Sequence, residues 1–94
     1  VYLNLNFEWD EEKAEANIIK HGISFQTAAK VFLDENRIEI YDTAHSNAYE
    51  ERFITIGMAN EILFVVYTER QANIRLISAR LANARERRLY YGVI

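Results

Sequence analysis

The stretch RFITIGMANEILFVVYTERQANIRLISA, residues 52–79, decides the fold of this chain. It holds three runs of apolar or alternating residues, at 52–58, 62–67 and 74–79, and such runs are typical of β-strands. Because short polar segments separate them, successive strands can pair side by side as an antiparallel meander. The middle run, ILFVVY, is continuously apolar, which predicts a central strand that is covered on both faces.

Two helices are predicted ahead of this stretch. Asp10 can cap the first helix, which we expect to run to His21 because Gly22 follows as a stop. Ser24 can cap the second helix. An apolar stripe at helical spacing would turn this second helix toward the core, and it consists of Phe25, Ala28, Ala29, Phe32 and Leu33.

The remaining segments complete an α+β order. Alternating residues 2–7 and 37–41 predict strands on either side of the two helices, and polar residues 42–50 predict an exposed loop. After the last strand, residues 80–91 contain neither Gly nor Pro and predict a helix that ends at Gly92. The expected order is β-α-α-β-β-β-β-α, with an antiparallel meander sheet packed by helices.

The composition indicates a single domain over residues 1–94, because half of the 94 residues are apolar and no segment is repetitive. The chain has no cysteine, and its apolar runs are far shorter than the ~18 residues of a membrane-spanning helix. Since no signal-like start is present either, we expect a cytoplasmic protein without a membrane partner. Phosphate-loop and metal-ligand spacings are missing and His21 and His45 lie far apart, so we expect no metal and no cofactor.

Charge is distributed unevenly along the chain. Residues 1–51 contain eleven acidic and four basic side chains, whereas residues 52–94 contain three acidic and seven basic ones. This asymmetry points to an anionic partner for the basic part. The alternative is that acidic and basic elements face each other within the fold.

The arginines near the end of the chain suit a phosphodiester ligand. A planar guanidinium can bind two phosphate oxygens and stabilise the negative charge of the transition state. RNA needs no metal for cleavage in principle, because its 2′-hydroxyl becomes a nucleophile once a base removes the proton. Arg75 and Arg80 are the main candidates. In a regular strand they would point to opposite faces, so they converge only if the strand ends or bulges before Arg80.

Structural roles compete for the same side chains. Arg75 could pair with a carboxylate, and Arg80 could neighbour a terminal carbonyl at the junction of strand and helix. Glu51 and Arg52 could pair with one another. The other basic and aromatic candidates could serve a solvated face, a helix dipole or helix packing, and these are Lys20, His21, Arg85, Arg87, Arg88, Tyr90 and Tyr91.

Three blocks of the sequence resemble one known family. FEWDEEKAEANIIKHGISF near the start, EERFITIG in the middle and YTERQANIRLISARLANARERRLY near the end are similar to the BrnT toxins of bacterial type II toxin-antitoxin systems. The resemblance implies a RelE-like fold and a ribonuclease that arrests translation and growth. It also implies a BrnA-like ribbon-helix-helix antitoxin, which would neutralise the toxin and connect the pair to operator DNA.

The blocks contain the basic residues that we expect to bind RNA. We hypothesise that Arg75 and Arg80 stabilise the scissile phosphate and that Arg52 helps to position the RNA. Further RNA contacts are expected from Lys20, Arg70, Arg85, Arg87 and Arg88. Because the net charge of the whole chain is −3, target choice should depend on this local basic surface.

The remaining roles concern proton transfer and orientation. We expect either Glu51 or His21 to accept the proton of the 2′-hydroxyl, and Tyr90 to orient a group or to stack on a base. A different class of function, a non-catalytic protein-binding module that reaches operator DNA through an antitoxin, would use the same exposed residues. No recognition-helix pattern favours direct DNA binding by this chain.

Overall fold

The computed structural model describes residues 6–93 of the protein. The helices in this range are α1 Glu11–His21, α2 Phe25–Ala29 and α3 Ala84–Tyr91. The strands are β1 Phe7–Glu8, β2 Ile38–Tyr41, β3 Arg52–Ala59, β4 Glu61–Arg70 and β5 Asn73–Leu81. Their order confirms the predicted β-α-α-β-β-β-β-α arrangement and the α+β class. No helix in the described range is long and apolar enough to cross a bilayer.

The sheet is mixed rather than purely antiparallel. Strands β2 to β5 pair in sequence order as the predicted antiparallel meander, and β4 lies at the centre of the sheet. β1 lies beside β5 and runs parallel to it, with Glu8 opposite Arg75. This parallel pair is possible because the long connection between the two strands includes helices that cross the sheet. Most of the predicted first strand, residues 2–7, lies outside the described residues.

The ends of the first two helices follow the predicted caps. The Asp10 carboxylate accepts a hydrogen bond from the backbone N–H of Glu12, and Gly22 ends α1 in the left-handed region with φ of 73°. The Ser24 hydroxyl caps α2 by accepting from the backbone N–H of Thr27. Local side chain to backbone bonding therefore determines where both helices begin.

The predicted stripe of the second helix is wrong at its last residue. The α-helix stops at Ala29 and the chain continues as a 3₁₀ turn over Lys30–Leu33. Because the 3₁₀ turn has three residues per turn, it keeps Phe32 buried and rotates Leu33 into solvent, where it is 63% exposed.

The predicted start of the last helix is also wrong. Residues 80 and 81 extend β5, so Arg80 lies inside a strand and not at a junction. α3 begins at Ala84 because Asn83 and Glu86 form a reciprocal capping box. The strand thereby carries Arg80 across from the side chain of Phe64 in β4.

The helices cover the two faces of the sheet unequally. Alternate residues of β4 face α1 and α2 and are buried in the main core, and these are Leu63, Val65 and Tyr67. On the opposite face α3 packs against β3, where Ile56 is fully buried. The rest of that face, around Ile54, Phe64 and Val66, is only partly buried. We call this area the open face, and it is where a ligand can reach the sheet.

Candidate functional site

A bulge in β5 brings Arg75 and Arg80 to the same face of the sheet. The register between β4 and β5 shifts and leaves Ile77 as an extra residue in β5. Arg75 consequently lies opposite Thr68 of β4, and Arg80 lies opposite Phe64. Thr68 and Phe64 are an even number of residues apart in β4, so they and the two arginines point to the same face of the sheet. The condition under which the two arginines can share a face is therefore met.

The open face carries a shallow depression of about 390 Å³. Its floor is apolar and is formed by side chains of the three longest strands, Ile54, Phe64, Val66 and Ile77. Its rim is polar and combines the loop after β2 with residues of β3 and β5, namely Asp42, His45, Arg52, Ser78 and Arg80. An apolar floor with cationic groups on the rim suits a ligand that has both aromatic bases and phosphates.

Arg80 is held rigidly at the rim of this depression. Its guanidinium carbon lies 4.0 Å from the centroid of the Phe64 ring. Nη1 and Nη2 donate to the two carboxylate oxygens of Glu86 at 2.8 and 2.9 Å, a bidentate pair between β5 and α3. These hydrogen bonds raise the pKa of Arg80 and lower that of Glu86. The Arg80 cation is thus fixed in place by an aromatic ring and a carboxylate.

Arg52 stands on the other side of the depression and is tied to the loop at 42–50. Its Nε donates to Glu50 Oε1 at 2.9 Å. Its backbone N–H donates to the Ser46 hydroxyl at 2.8 Å, and its carbonyl accepts from the backbone N–H of Asp42 at 2.9 Å. The polar loop is therefore folded back onto the first residue of β3.

Asp42 and His45 form a pair that the sequence reasoning missed. His45 Nδ1 lies 3.0 Å from Asp42 Oδ2, and both residues line the depression with Arg52 and Arg80. The available sequence signal was an acid and an imidazole three residues apart in a polar loop directly after a strand. That signal is weak by itself, because only the fold brings this loop and β5 to the same depression.

Arg75 shares the open face but does not line the depression. Its Nη1 donates to Glu8 Oε2 at 2.6 Å, at the edge where β1 pairs with β5. Hydrogen bonds from Asn73 and then Arg75 lower the pKa of the Glu8 carboxyl group. Arg75 therefore connects the edge strand to the meander, which agrees with the structural role considered for it.

Each guanidinium near the open face has its own carboxylate. The pairs are Arg52 with Glu50, Arg75 with Glu8 and Arg80 with Glu86. Pairing reduces the net positive potential that these side chains present to an anion. It also orients them, since a guanidinium has five N–H donors and one carboxylate occupies at most two.

The other predicted site residues are dispersed. Glu51 and Arg70 line a second depression of about 280 Å³ together with Tyr49, Glu50 and Glu69, a mostly acidic set. Lys20 and His21 end α1, on the helix-covered face of the sheet. The remaining arginines of the last helix, Arg85, Arg87 and Arg88, are exposed.

Tyr90 makes a structural contact away from the depression. Its hydroxyl donates to Asp34 Oδ2 at 2.6 Å, which fastens α3 to the chain segment before β2. This hydrogen bond raises the pKa of Tyr90 to about 12. Within residues 6–93, no group of three His, Asp or Glu side chains is arranged to hold a metal ion.

Comparison with known proteins assigns the chain to a family. Residues 9–86 match the family model described as the ribonuclease toxin BrnT of type II toxin-antitoxin systems. The chain belongs to the BrnT family. No curated protein matches it significantly. A structural match is the crystal structure of the Brucella abortus ribonuclease toxin BrnT, with a TM-score of 0.63 and 27% sequence identity over 85% of this chain and 99% of that one.

Membership in the BrnT family confirms the resemblance found in the three sequence blocks. The matched range contains every residue that lines the depression on the open face. Glu8, Arg87, Arg88 and Tyr90 lie outside this range. The depression is therefore a feature of the BrnT-like part of the chain.

Proposed function

We propose that this BrnT-family protein is an endoribonuclease that cuts RNA without a metal ion in the depression on the open face. The single observation that supports this proposal is the convergence of Arg52 and Arg80 on one depression with an apolar floor. Cleavage of cellular RNA would stop translation and growth. We therefore propose that it acts in the cytoplasm.

Arg80 and Arg52 are proposed to hold the scissile phosphate. Arg80 donates both N–H groups of Nη1 and one of Nη2 to the Glu86 carboxylate and the Leu81 carbonyl. Its Nε–H and the second N–H of Nη2 remain for phosphate oxygens. As the 2′-oxygen attacks phosphorus, negative charge builds up on the non-bridging oxygens, and fixed cations stabilise that charge most. Preorganisation by Glu86 and Phe64 removes the cost of ordering the Arg80 side chain during the reaction.

This proposal exchanges the roles predicted for Arg52 and Arg75, because Arg52 lines the depression and Arg75 does not. Arg75 lies on the same face and is assigned to the RNA backbone beside the reacting phosphate. The exposed arginines would extend this contact, namely Arg70, Arg85, Arg87 and Arg88. A contact from Lys20, which lies on the helix-covered face, requires an RNA path that reaches that side as well. Glu51, His21 and Tyr90 do not line the depression, so a catalytic role for any of them requires a different RNA path.

A BrnA-like ribbon-helix-helix antitoxin is proposed as the protein partner, and operator DNA would be bound through that antitoxin. Large apolar side chains at the end of the chain support a protein partner, because Leu89, Tyr91 and Val93 are each about half exposed. A RelE-like relationship is proposed from the meander sheet packed by helices.

RNA cleavage by the purified protein tests the proposed function. The wild-type protein should cut RNA at the same rate with and without EDTA. Arg80→Ala should lower the rate by about 10²-fold, because one fixed cation that stabilises transition-state charge is lost. Arg80→Lys should recover little of that loss, since an ammonium cannot replace the bidentate geometry.

The controls separate catalysis from folding. Lys30→Ala removes an exposed cation from the helix-covered side and should leave the rate unchanged. Arg80→Ala and Arg52→Ala should also permit growth when expressed without an antitoxin. Full activity of both arginine variants would show that the depression is not the site of cleavage.

A non-catalytic protein-binding module is the second candidate. The observation that favours it is the pairing of all three guanidiniums with carboxylates, which weakens the attraction of an anion. A wild-type protein that forms an antitoxin complex but leaves RNA intact would establish this second function.

A further inference from the structure

We infer that His45 is the general base of the cleavage reaction and that Asp42 is the positioning residue that orients it. This inference rests on the proposed function and adds the group that removes the proton. Neither residue belongs to the set singled out from the sequence. Both lie in the loop between β2 and β3, and both line the depression that Arg52 and Arg80 share.

The hydrogen bonds of Asp42 define which nitrogen of His45 is available. The Asp42 side chain is 12% exposed, whereas that of His45 is 68% exposed. Asp42 accepts from the His45 ring at Nδ1, at 3.0 Å, and from the His45 backbone N–H, at 3.3 Å. Because a carboxylate can only accept, Nδ1 must carry the hydrogen. In the neutral ring Nε2 is then the free acceptor.

The loop that carries His45 is anchored to the backbone of Arg52, one of the two arginines proposed to bind phosphate. The Ser46 hydroxyl accepts from the Arg52 backbone N–H and lies 3.3 Å from the Arg52 carbonyl oxygen, to which it donates. The Ser46 backbone N–H donates to the Asp42 carbonyl at 3.0 Å. Since Ser46 follows His45 directly, these bonds fix the loop on both sides of the imidazole.

No other side chain in the depression is as well suited to accept the proton. Among the described residues that line it, Ser78 has a hydroxyl, which is a poor base, and the two arginines are permanently charged. Asp42 has its carboxylate directed to His45. The nearby carboxylates of Glu50 and Glu86 are engaged by Arg52 and Arg80.

The chemical step balances with water as the proton donor. His45 Nε2 takes the proton of the RNA 2′-hydroxyl, the 2′-oxygen forms a bond to phosphorus, and the bond from phosphorus to the 5′-oxygen breaks. The 5′-oxygen receives a proton from water, and the hydroxide that remains takes the proton from His45 Nε2, which restores the base. The products are a 2′,3′-cyclic phosphate and a 5′-hydroxyl, while Asp42 stabilises the imidazolium that forms.

The test compares variants of the purified protein on one RNA substrate, with kcat and KM measured separately. His45→Gln should lower kcat by about 10²-fold or more, because a general base contributes on this order. Thr43→Gln places the same side chain two residues earlier in the loop and should leave kcat unchanged. Free imidazole should restore part of the activity of His45→Ala.

The test of Asp42 needs a change in kcat and KM that differs from the change caused by loss of loop structure. Asp42→Asn should lower kcat with little change in KM, since Asp42 orients His45 and does not touch RNA. A loop that merely lost its shape would bind RNA less well and raise KM. Asp42→Glu, which keeps the carboxylate, should recover part of kcat.

The outcomes distinguish this inference from the proposed function. If the wild-type protein does not cut RNA, the proposed function is wrong and the inference is wrong with it. If the wild-type protein cuts RNA and His45→Gln cuts equally fast, the protein is a ribonuclease and only the inference is wrong. Loss of activity in His21→Gln with full activity in His45→Gln would instead assign the base to His21.

Discussion

Replacing Asn17 by alanine should destabilise the protein more than any surface change on the same helix. Asn17 lies in α1 and is 6% exposed. Its Nδ2 donates to the carbonyls of Ile23 and Ala79, each at 2.8 Å, and its Oδ1 accepts from the Ala79 backbone N–H at 3.1 Å. One side chain therefore forms hydrogen bonds with the backbone of β5 next to Arg80 and with the backbone of the turn after α1.

The magnitude follows from the groups that would lose their partners. Each hydrogen bond contributes about 1 kcal/mol net, and each buried group left without a partner costs about 1–3 kcal/mol. Ala79 is fully buried, so solvent can hardly replace Asn17 there. We expect Asn17→Ala to lower the free energy of unfolding by roughly 3–5 kcal/mol, a large part of the total for a small domain. The midpoint temperature should fall by on the order of 15–25 °C.

Urea denaturation, monitored by circular dichroism, measures this change. The comparison requires that the slope of the free energy of unfolding against urea concentration is the same for both proteins. Glu15→Ala, an exposed change in the same helix, is the control and should shift the free energy of unfolding by less than about 0.5 kcal/mol. A loss below about 1 kcal/mol for Asn17→Ala would refute the reasoning, because the three bonds would then not fasten α1 to β5.

Two further predictions concern packing and pH. Gly57→Ala would place a Cβ 2.6 Å from Val31 Cγ1, so thermal denaturation should show a loss of about 1–3 kcal/mol. Burial of Asp34 opposes its ionisation, but hydrogen bonds from the Tyr90 hydroxyl and the Met58 and Asn36 amides outweigh it and lower the pKa of Asp34. Ionised Asp34 therefore stabilises the fold above its ordinary pKa of about 4, and this contribution is lost as the pH falls below that value. Asp34→Asn should be less stable at pH 7 by about 1–2 kcal/mol and should lose less stability on acidification, whereas an unchanged acid dependence would contradict this account.

Much of the fold was predictable because it depends on local chemistry. The Asp10 and Ser24 caps, the stop at Gly22 and the apolar run at 62–67 are each properties of a few neighbouring residues. These local features form the same helix ends and the same strand wherever the apolar face of the segment is buried. The meander was predictable for the same reason, since short connections leave little choice of partner strand.

The predictions failed or were incomplete where contacts between distant segments overrode the local sequence preference. Leu33 fits a helical stripe by spacing, but the segment tightens into a 3₁₀ turn whose end is fastened by Asp34 to the backbone N–H of Met58. The parallel pairing of β1 with β5 leaves no local trace, because it joins residues more than 60 positions apart in the chain.

By itself, the sequence determined the family, the order of helices and strands, and the arginines from which a phosphate site can be built. Only the tertiary structure decided which of those arginines meet. The bulge at Ile77 sets the face of Arg80, the fold of the loop brings His45 to the same depression, and Glu8 holds Arg75 at the sheet edge. The physical reason is that a site depends on distances between segments far apart in the chain, and those distances are set by strand register and packing rather than by residue spacing.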